Sequence, residues 1–375
     1  MRAMIVKEFR QLRRDRRTLA MMIVMPVLLL VILGYAASFD VSDIPTVVAG
    51  PGAAAAAQAL PKSFKVAATY PGGTYPGGAS PAAWAQDQLR DGHAAVAIVT
   101  GSAPGPTVLI DGSQLFTAQA ALRQFVAERN GQAGTTASVS AAITDVTTRI
   151  LYNPELKTSY IMIPGLAGVI LVFIGTVITS LGVVRERQTG TLEQLAVMPL
   201  RARDVIAGKI APYLMVAAVD LVLIIAIGMV VFHVPFTGSV ATFALGAALF
   251  LLVTLGMGVL ISTVSQNQGQ AIQLAFMIML PQVLLSGLIF PISSMAAGVR
   301  WISYVLPLTY FIEISRGVML KATPITALGQ PLGLLALLAV VVLGLAIIRF
   351  RRDLAPSSRR GDRESEARAG EAVAA

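Results

Sequence analysis

The sequence predicts an α-helical membrane protein. It has six transmembrane helices, an N-terminal interfacial helix, re-entrant helices before the last span, and a small external α/β domain between spans 1 and 2. Three observations predict this. Of 375 residues, 55% are hydrophobic and 13% charged, and the mean hydropathy is +0.72, a balance suited to a bilayer rather than to water. Six apolar runs reach the roughly 20 residues needed to cross one. The basic residues collect in three segments that a six-span chain places on a single side of the membrane.

Residues 1–18 put Ile5, Phe9 and Leu12 on one helical face with arginines around it, the pattern of a helix lying on the inner leaflet. The run 19–37 is the first span; its 19 residues exceed the 7–15 typical of a cleaved leader. The remaining spans are expected at 160–184, 210–234, 240–264, 271–292 and 331–348. Asp220 is the only fully charged residue in their interiors.

The insert 39–159 is long enough to fold by itself. Residues 46–50, 64–68, 94–100 and 107–110 read as short buried strands. Ser80 caps a helix through Leu89, and Thr117 starts another through Arg129. This alternation predicts the α/β module, with residues 133–152 expected as a stalk helix returning to the membrane. The tandem Tyr-Pro-Gly-Gly at 70–78 reads as a turn-rich loop. The chain has no cysteine, so the module is held by its core alone. Residues 293–330 are external yet apolar, in pieces too short to cross and separated by Pro307, which suits helices dipping back into the bilayer. Glu313 and Arg316, three apart on one face, are expected to pair there. The tail 349–375, rich in charge, Ala and Ser, is expected to be disordered.

Orientation follows from charge. Nineteen of the 29 Lys and Arg lie in residues 1–18, in the bridge 185–209 and in the tail, whereas the 39–159 insert holds seven basic and eight acidic residues. Both termini and the bridge therefore face the cytoplasm. The net charge of +9 is a topology signal with attraction to anionic lipid, and calls for no nucleic-acid partner.

The bridge carries more than a turn requires. Thr191 is an N-cap with Gln194 as its capping-box partner, and Pro199 stops the helix. Leu192, Leu195 and Ala196 share one face with Glu193 beside them. A surface helix that merely reverses the chain is the plain alternative. The run Arg185-Glu-Arg-Gln-Thr-Gly-Thr-Leu-Glu-Gln-Leu-Ala-Val-Met-Pro-Leu200 resembles the segment after the second transmembrane helix of ABC-2-type exporter permeases. Leu285-Ser-Gly-Leu-Ile-Phe-Pro-Ile-Ser-Ser-Met295 and residues 301–320 resemble the same family's fifth and sixth helix region. The resemblance runs from residue 1 to about residue 350. Met198 departs from the Thr or Ser that often precedes this proline, and Arg201 from a frequent helix-capping Ser.

The resemblance implies a multidrug-exporter-like permease in the cell inner membrane. The coupling helix, Thr191, Leu192, Glu193, Gln194, Leu195 and Pro199, would dock into a separate ABC ATPase subunit that uses ATP and Mg. A second permease, identical or related, would complete the path; a periplasmic adaptor and membrane lipids are further compatible partners. The sequence itself shows no Gly-x-x-x-x-Gly-Lys-Ser/Thr run, no nucleophile with a base and no carboxylate cluster, and His93 and His233 lie far apart. No catalytic, cofactor-binding or metal residues are expected, and the chain alone is not an enzyme. Asp220 is a candidate for the translocation path with Gln282, or else forms a helix–helix hydrogen bond to Gln273 or Gln282. An apolar path favours a lipophilic drug or lipid as cargo. Two alternatives are an ion-coupled secondary carrier and a membrane-anchored sensor with an external ligand-binding module. An ion-coupled secondary carrier predicts inverted repeats and several midplane charges. A membrane-anchored sensor predicts a cytoplasmic signalling domain. Only Asp220 speaks for the carrier, and the insert 39–159 has no counterpart in the second half; for the sensor, the 18 residues before the first span and the tail are too short to be such a domain.

Overall fold

The computed structural model describes residues 43–70, 79–101, 105–129, 147–189 and 202–354. The helices expected over 1–37, the bridge helix at 191–199 and the tail beyond 354 lie outside the described residues.

Five strands form one sheet in the order β2-β1-β3-β4-β5: β1 (Ile44–Ala49), β2 (Phe64–Tyr70), β3 (Val96–Val99), β4 (Thr107–Asp111) and β5 (Thr147–Leu151). β1 runs parallel to β2 and β3, β4 antiparallel to β3, and β5 parallel to β4. The central strands are runs of Val, Ile and Ala because both their faces are covered. On one face Ile44, Val48, Val96 and Ile110 meet α1 (Ala53–Ala59) and α3 (Leu115–Arg129). On the other, Val47, Ala97 and Leu109 meet Trp84 and Leu89 of α2 (Pro81–Arg90). Ser80 caps α2, its hydroxyl accepting from the Ala83 amide at 3.2 Å.

The stalk helix expected over 133–152 is not formed at its C-terminal end, where residues 147–151 are strand β5. The β-branched Thr147, Thr148 and Ile150 suit a pleated edge, and β4 offers them an open row of backbone partners. Tyr152 and Leu156 then take positive φ values of 65° and 49°, so the chain turns sharply into the bundle. The buried Asn153 fixes the turn. Its carboxamide oxygen accepts from the Lys157 amide at 2.9 Å, and its nitrogen donates to the Lys157 carbonyl at 3.1 Å and the Gly112 carbonyl at 3.4 Å.

The bundle comprises α4 (Thr158–Gln188), α5 (Ala202–Val231), α6 (Val240–Val264), α7 (Gln268–Leu285), the short α8 (Ala297–Ser303) and α9 (Pro307–Lys321), and α10 (Gly329–Leu354). Among the described residues five helices, all but the short pair, are long and apolar enough to cross a membrane. α4 widens into a π-helical stretch at Phe173–Ile178. There it touches α6 backbone to backbone: a Cβ at Gly258 would lie 2.2 Å from the Gly175 carbonyl oxygen. Ser239 and Asn267 cap α6 and α7. The run expected as a span to residue 292 is helical only to Leu285, because Gly287 at φ 83° turns the chain. α9 is enclosed by α4, α6 and α10, with Phe311 stacked on Phe250 of α6 at 4.4 Å. Protein therefore covers its backbone nearly all round.

Candidate functional site

The α/β domain sits on one end of the bundle, and its hold there rests on α9. Lys321, the last residue of α9, forms an ion pair with Asp111 at the end of β4; their side chains are 7% and 0% exposed. The Lys321 ammonium also donates to the Leu89 carbonyl at 3.0 Å and lies 5.7 Å from the centre of the Tyr152 ring. The second Asp111 oxygen accepts from the Ser113 amide at 2.9 Å. Two residues beyond Lys321, the Thr323 hydroxyl donates to the Arg90 carbonyl at 2.9 Å. A buried ammonium thus meets a carboxylate, a carbonyl and an aromatic face, the set that compensates its lost hydration. Burial first, and then the negative charge of Asp111, pushes the Tyr152 hydroxyl up to about 12. It stays neutral and donates to the Gln86 carbonyl at 3.4 Å.

Beside this joint, between the sheet domain and the bundle, lies a cavity of about 620 Å³. The N-terminal turn of α3, the Ser286–Leu288 turn, α8 and α9 contribute to its wall. Within it the expected Glu313–Arg316 pair is not formed. Arg316 instead donates through Nε to the Ile161 carbonyl at 3.4 Å and through Nη1 to the Gly287 carbonyl at 3.3 Å. Those carbonyls belong to the first turn of α4 and to the turn after α7, where Gly287 at φ 83° takes the chain out of the helix and leaves its carbonyl outside the helical ladder. They compete successfully with a carboxylate one turn away. Glu313 faces the cavity, and Arg316 Nη2 has no partner. Arg300 donates to the Ser293 and Met295 carbonyls at 2.7 and 3.0 Å, which pins α8 to the turn before it.

Gln282 lies on α7, completely buried, with neither amide atom hydrogen-bonded. Asp220 lies on α5, half-buried among the exposed Val219 and Val222. No hydrogen bond joins Asp220 to Gln282 or Gln273, so the expected alternative of a helix–helix bond is not formed. α5 is the least buried of the five long helices. At the opposite end of the bundle from the α/β domain, Arg187 donates to the Ser265 carbonyl at 3.1 Å, and the Gln188 and Gln268 side chains bond at 3.0 Å. This anchors the start of the bridge to the α6–α7 turn. The bridge residues Thr191, Leu192, Glu193, Gln194, Leu195 and Pro199 themselves lie outside the described residues.

Sequence reasoning missed Lys321 and Asp111, 210 residues apart. One signal was available: Lys321 is the only basic residue between Arg316 and Arg349.

A family model described as ABC-2 family transporter protein matches residues 16–348. A probable multidrug ABC transporter permease of Escherichia coli K12, YbhS, is 30% identical over 94% of this chain and 97% of its own length. A second one from that strain, YbhR, is 32% identical over 56% of each. The inner membrane transport permease YhhJ of the same strain is 27% identical over 68% of this chain and 70% of its own.

Proposed function

Because the chain belongs to the ABC-2 family of transporter proteins, we propose that it is the transmembrane subunit of an ATP-driven exporter in the cytoplasmic membrane, working with a separate ABC ATPase. That it is a multi-pass membrane permease follows from the family and the five apolar helices; this is consistent with a chain that is not itself an enzyme, and the family implies the ATPase partner. The finer reading is ours. Six spans cross the membrane, residues 19–37 forming the first, and α8 and α9 dip back from the outer side. Both termini and the bridge face the cytoplasm, so the α/β domain is external. A second permease, identical or related, completes the path. The names of two relatives, both probable multidrug permeases, favour a drug as cargo, and the apolar helices favour a lipophilic one.

The observation that carries the proposal is the near end-to-end match with a permease, joined to a bridge whose sequence has the pattern of an amphipathic helix. Force from ATP hydrolysis has to enter the membrane helices somewhere. The bridge follows α4 directly and precedes α5, and it is tied to the α6–α7 turn by Arg187 and Gln188, so a push on it moves four helices. Leu192 and Leu195 supply the apolar anchor, Glu193 the polar contact, and Thr191, Gln194 and Pro199 the ends of the helix. Asp220 and Gln282 are the polar groups proposed for the path.

The test is co-purification and transport. The tagged chain is expressed with the ABC ATPase encoded nearest to its gene, and the complex is reconstituted in liposomes. The expected result is cargo movement that needs ATP and stops when the ATPase's phosphate-binding lysine is replaced. Movement driven by an ion gradient without the ATPase would overturn the proposal.

A further inference from the structure

Three buried polar atoms that line the cavity under the α/β domain have no hydrogen-bond partner: Arg316 Nη2, Arg300 Nε and Ser286 Oγ. Two are guanidinium N–H donors, and the third is a hydroxyl able to donate. Buried donors almost always find acceptors, so three around one cavity demand an explanation. The local carboxylates do not provide it. Asp91 is engaged by Arg90 Nε at 3.0 Å, Asp111 by Lys321, and Asp43 and Glu313, also in the wall, form no ion pair with either guanidinium. Arg316 is held by the Ile161 and Gly287 carbonyls through its other nitrogens, so Nη2 is presented without further ordering of the side chain. Arg300 is likewise held by Ser293 and Met295. The rest of the wall includes Leu115, Phe116, Leu288, Ile292, Ile312 and Leu328, an apolar surface. A volume of about 620 Å³ is that of a site for one small molecule.

We infer that this cavity binds an amphiphile with an oxyanion head, the head accepting from Arg316, Arg300 and Ser286 and the tail lying on the apolar wall. Guanidinium forks suit oxyanions because planar donors meet planar or tetrahedral acceptors in parallel. The head could belong to a membrane lipid or to a soluble amphiphilic acid, and the chemistry is shared. Binding at this cavity does not depend on the permease reading; regarding the ligand as exported cargo does.

The experiment uses the full chain without an ATPase, in phosphatidylcholine nanodiscs, with empty nanodiscs subtracted. Decyl phosphate, inorganic phosphate, decyl maltoside and decyltrimethylammonium are titrated by calorimetry. Decyl phosphate is expected to bind saturably at one site per chain, and the other three much more weakly. Ser286→Ala and Arg316→Lys should each weaken decyl phosphate binding by about tenfold or more, as expected for a hydrogen bond to a charged group. Replacing the exposed Arg123 on α3 by Lys, the same substitution away from the cavity, should not. Ser286→Ala keeps the test open where Arg316 variants fold poorly. Adding phosphatidylglycerol to the nanodiscs separates the sources: competition assigns the site to a lipid headgroup, and its absence to a soluble acid. Equal binding of decyltrimethylammonium, or unchanged binding in both Ser286→Ala and Arg316→Lys, would overturn the inference. Loss of binding specificity with ATP-driven export intact would sink this site and leave the permease standing. Binding as expected in a chain that no ATPase drives would do the reverse.

Discussion

Replacing Lys321 by Met removes the ammonium and keeps most of the stem volume. Asp111, 0% exposed, then loses its counter-ion but keeps the Ser113 amide, and the Leu89 carbonyl loses its donor. Breaking one side of a buried pair costs about 3–5 kcal/mol because the remaining charge stays desolvated. That cost falls on the docking of the α/β domain to α9, since the pair spans the two. At about 1.4 kcal/mol per tenfold, the undocked state becomes about a hundredfold to several thousandfold more populated. Hydrogen–deuterium exchange reads this directly at the Thr323 amide, bonded to the Gly317 carbonyl at 3.0 Å, and at the Gly112 amide, bonded to Leu151 at 3.0 Å. Amides deep in α6 should not change. The double variant Lys321→Met with Asp111→Leu should recover much of the protection, because no charge is then stranded. Native exchange in Lys321→Met, or a double variant no better than the single one, would refute the latch.

Gly258→Ala places a Cβ 2.2 Å from the Gly175 carbonyl oxygen; the forced separation of α4 and α6 should cost about 1–3 kcal/mol, seen as a lower Tm in detergent, whereas Gly344, with open space at its Cβ position, should accept Ala unchanged. The cysteine-free background makes single-Cys labelling clean: Ala55→Cys, exposed on α1, should react with an impermeant thiol reagent on intact cells or spheroplasts and Thr189→Cys only after lysis, and the reverse would overturn the orientation. Asp220→Asn should leave protein levels unchanged, since a carboxylate within a span costs about 2.5–3.5 kcal/mol that an amide avoids, and should abolish transport; full transport by the variant removes Asp220 from the path.

What was legible in the sequence was what local pattern governs. The apolar helices were visible because crossing a bilayer demands length and composition, which a single run displays. The core strands were visible because Val, Ile and Ala gather wherever a strand is buried on both faces. β5 was not: residues 147–151 pair with β4, about 40 positions earlier, and nothing local announces a vacant strand edge. The joint of Lys321 with Asp111 was hidden for the same reason over a longer reach. Glu313 and Arg316 show the opposite error. Their spacing was right for a pair, but Arg316 sits against the first turn of α4 and the turn after α7, where the Ile161 and Gly287 carbonyls take its donors, and spacing along one helix carries no information about a neighbouring element. Of the cavity, the sequence showed Arg316 and Glu313 on one face, and neither Arg300 nor Ser286.

The most direct test of coupling is ATP hydrolysis by the reconstituted complex with Leu195→Asp in the bridge. Interfaces concentrate their energy in a few buried residues, so a charge in place of an apolar side chain at this position should disable docking. The account predicts that the variant permease inserts at the wild-type level but loses the ATPase on purification, with cargo-stimulated hydrolysis and export both abolished, while Gln188→Ala retains them. A Leu195→Asp permease that co-purifies with its ATPase and exports at the wild-type rate would contradict it.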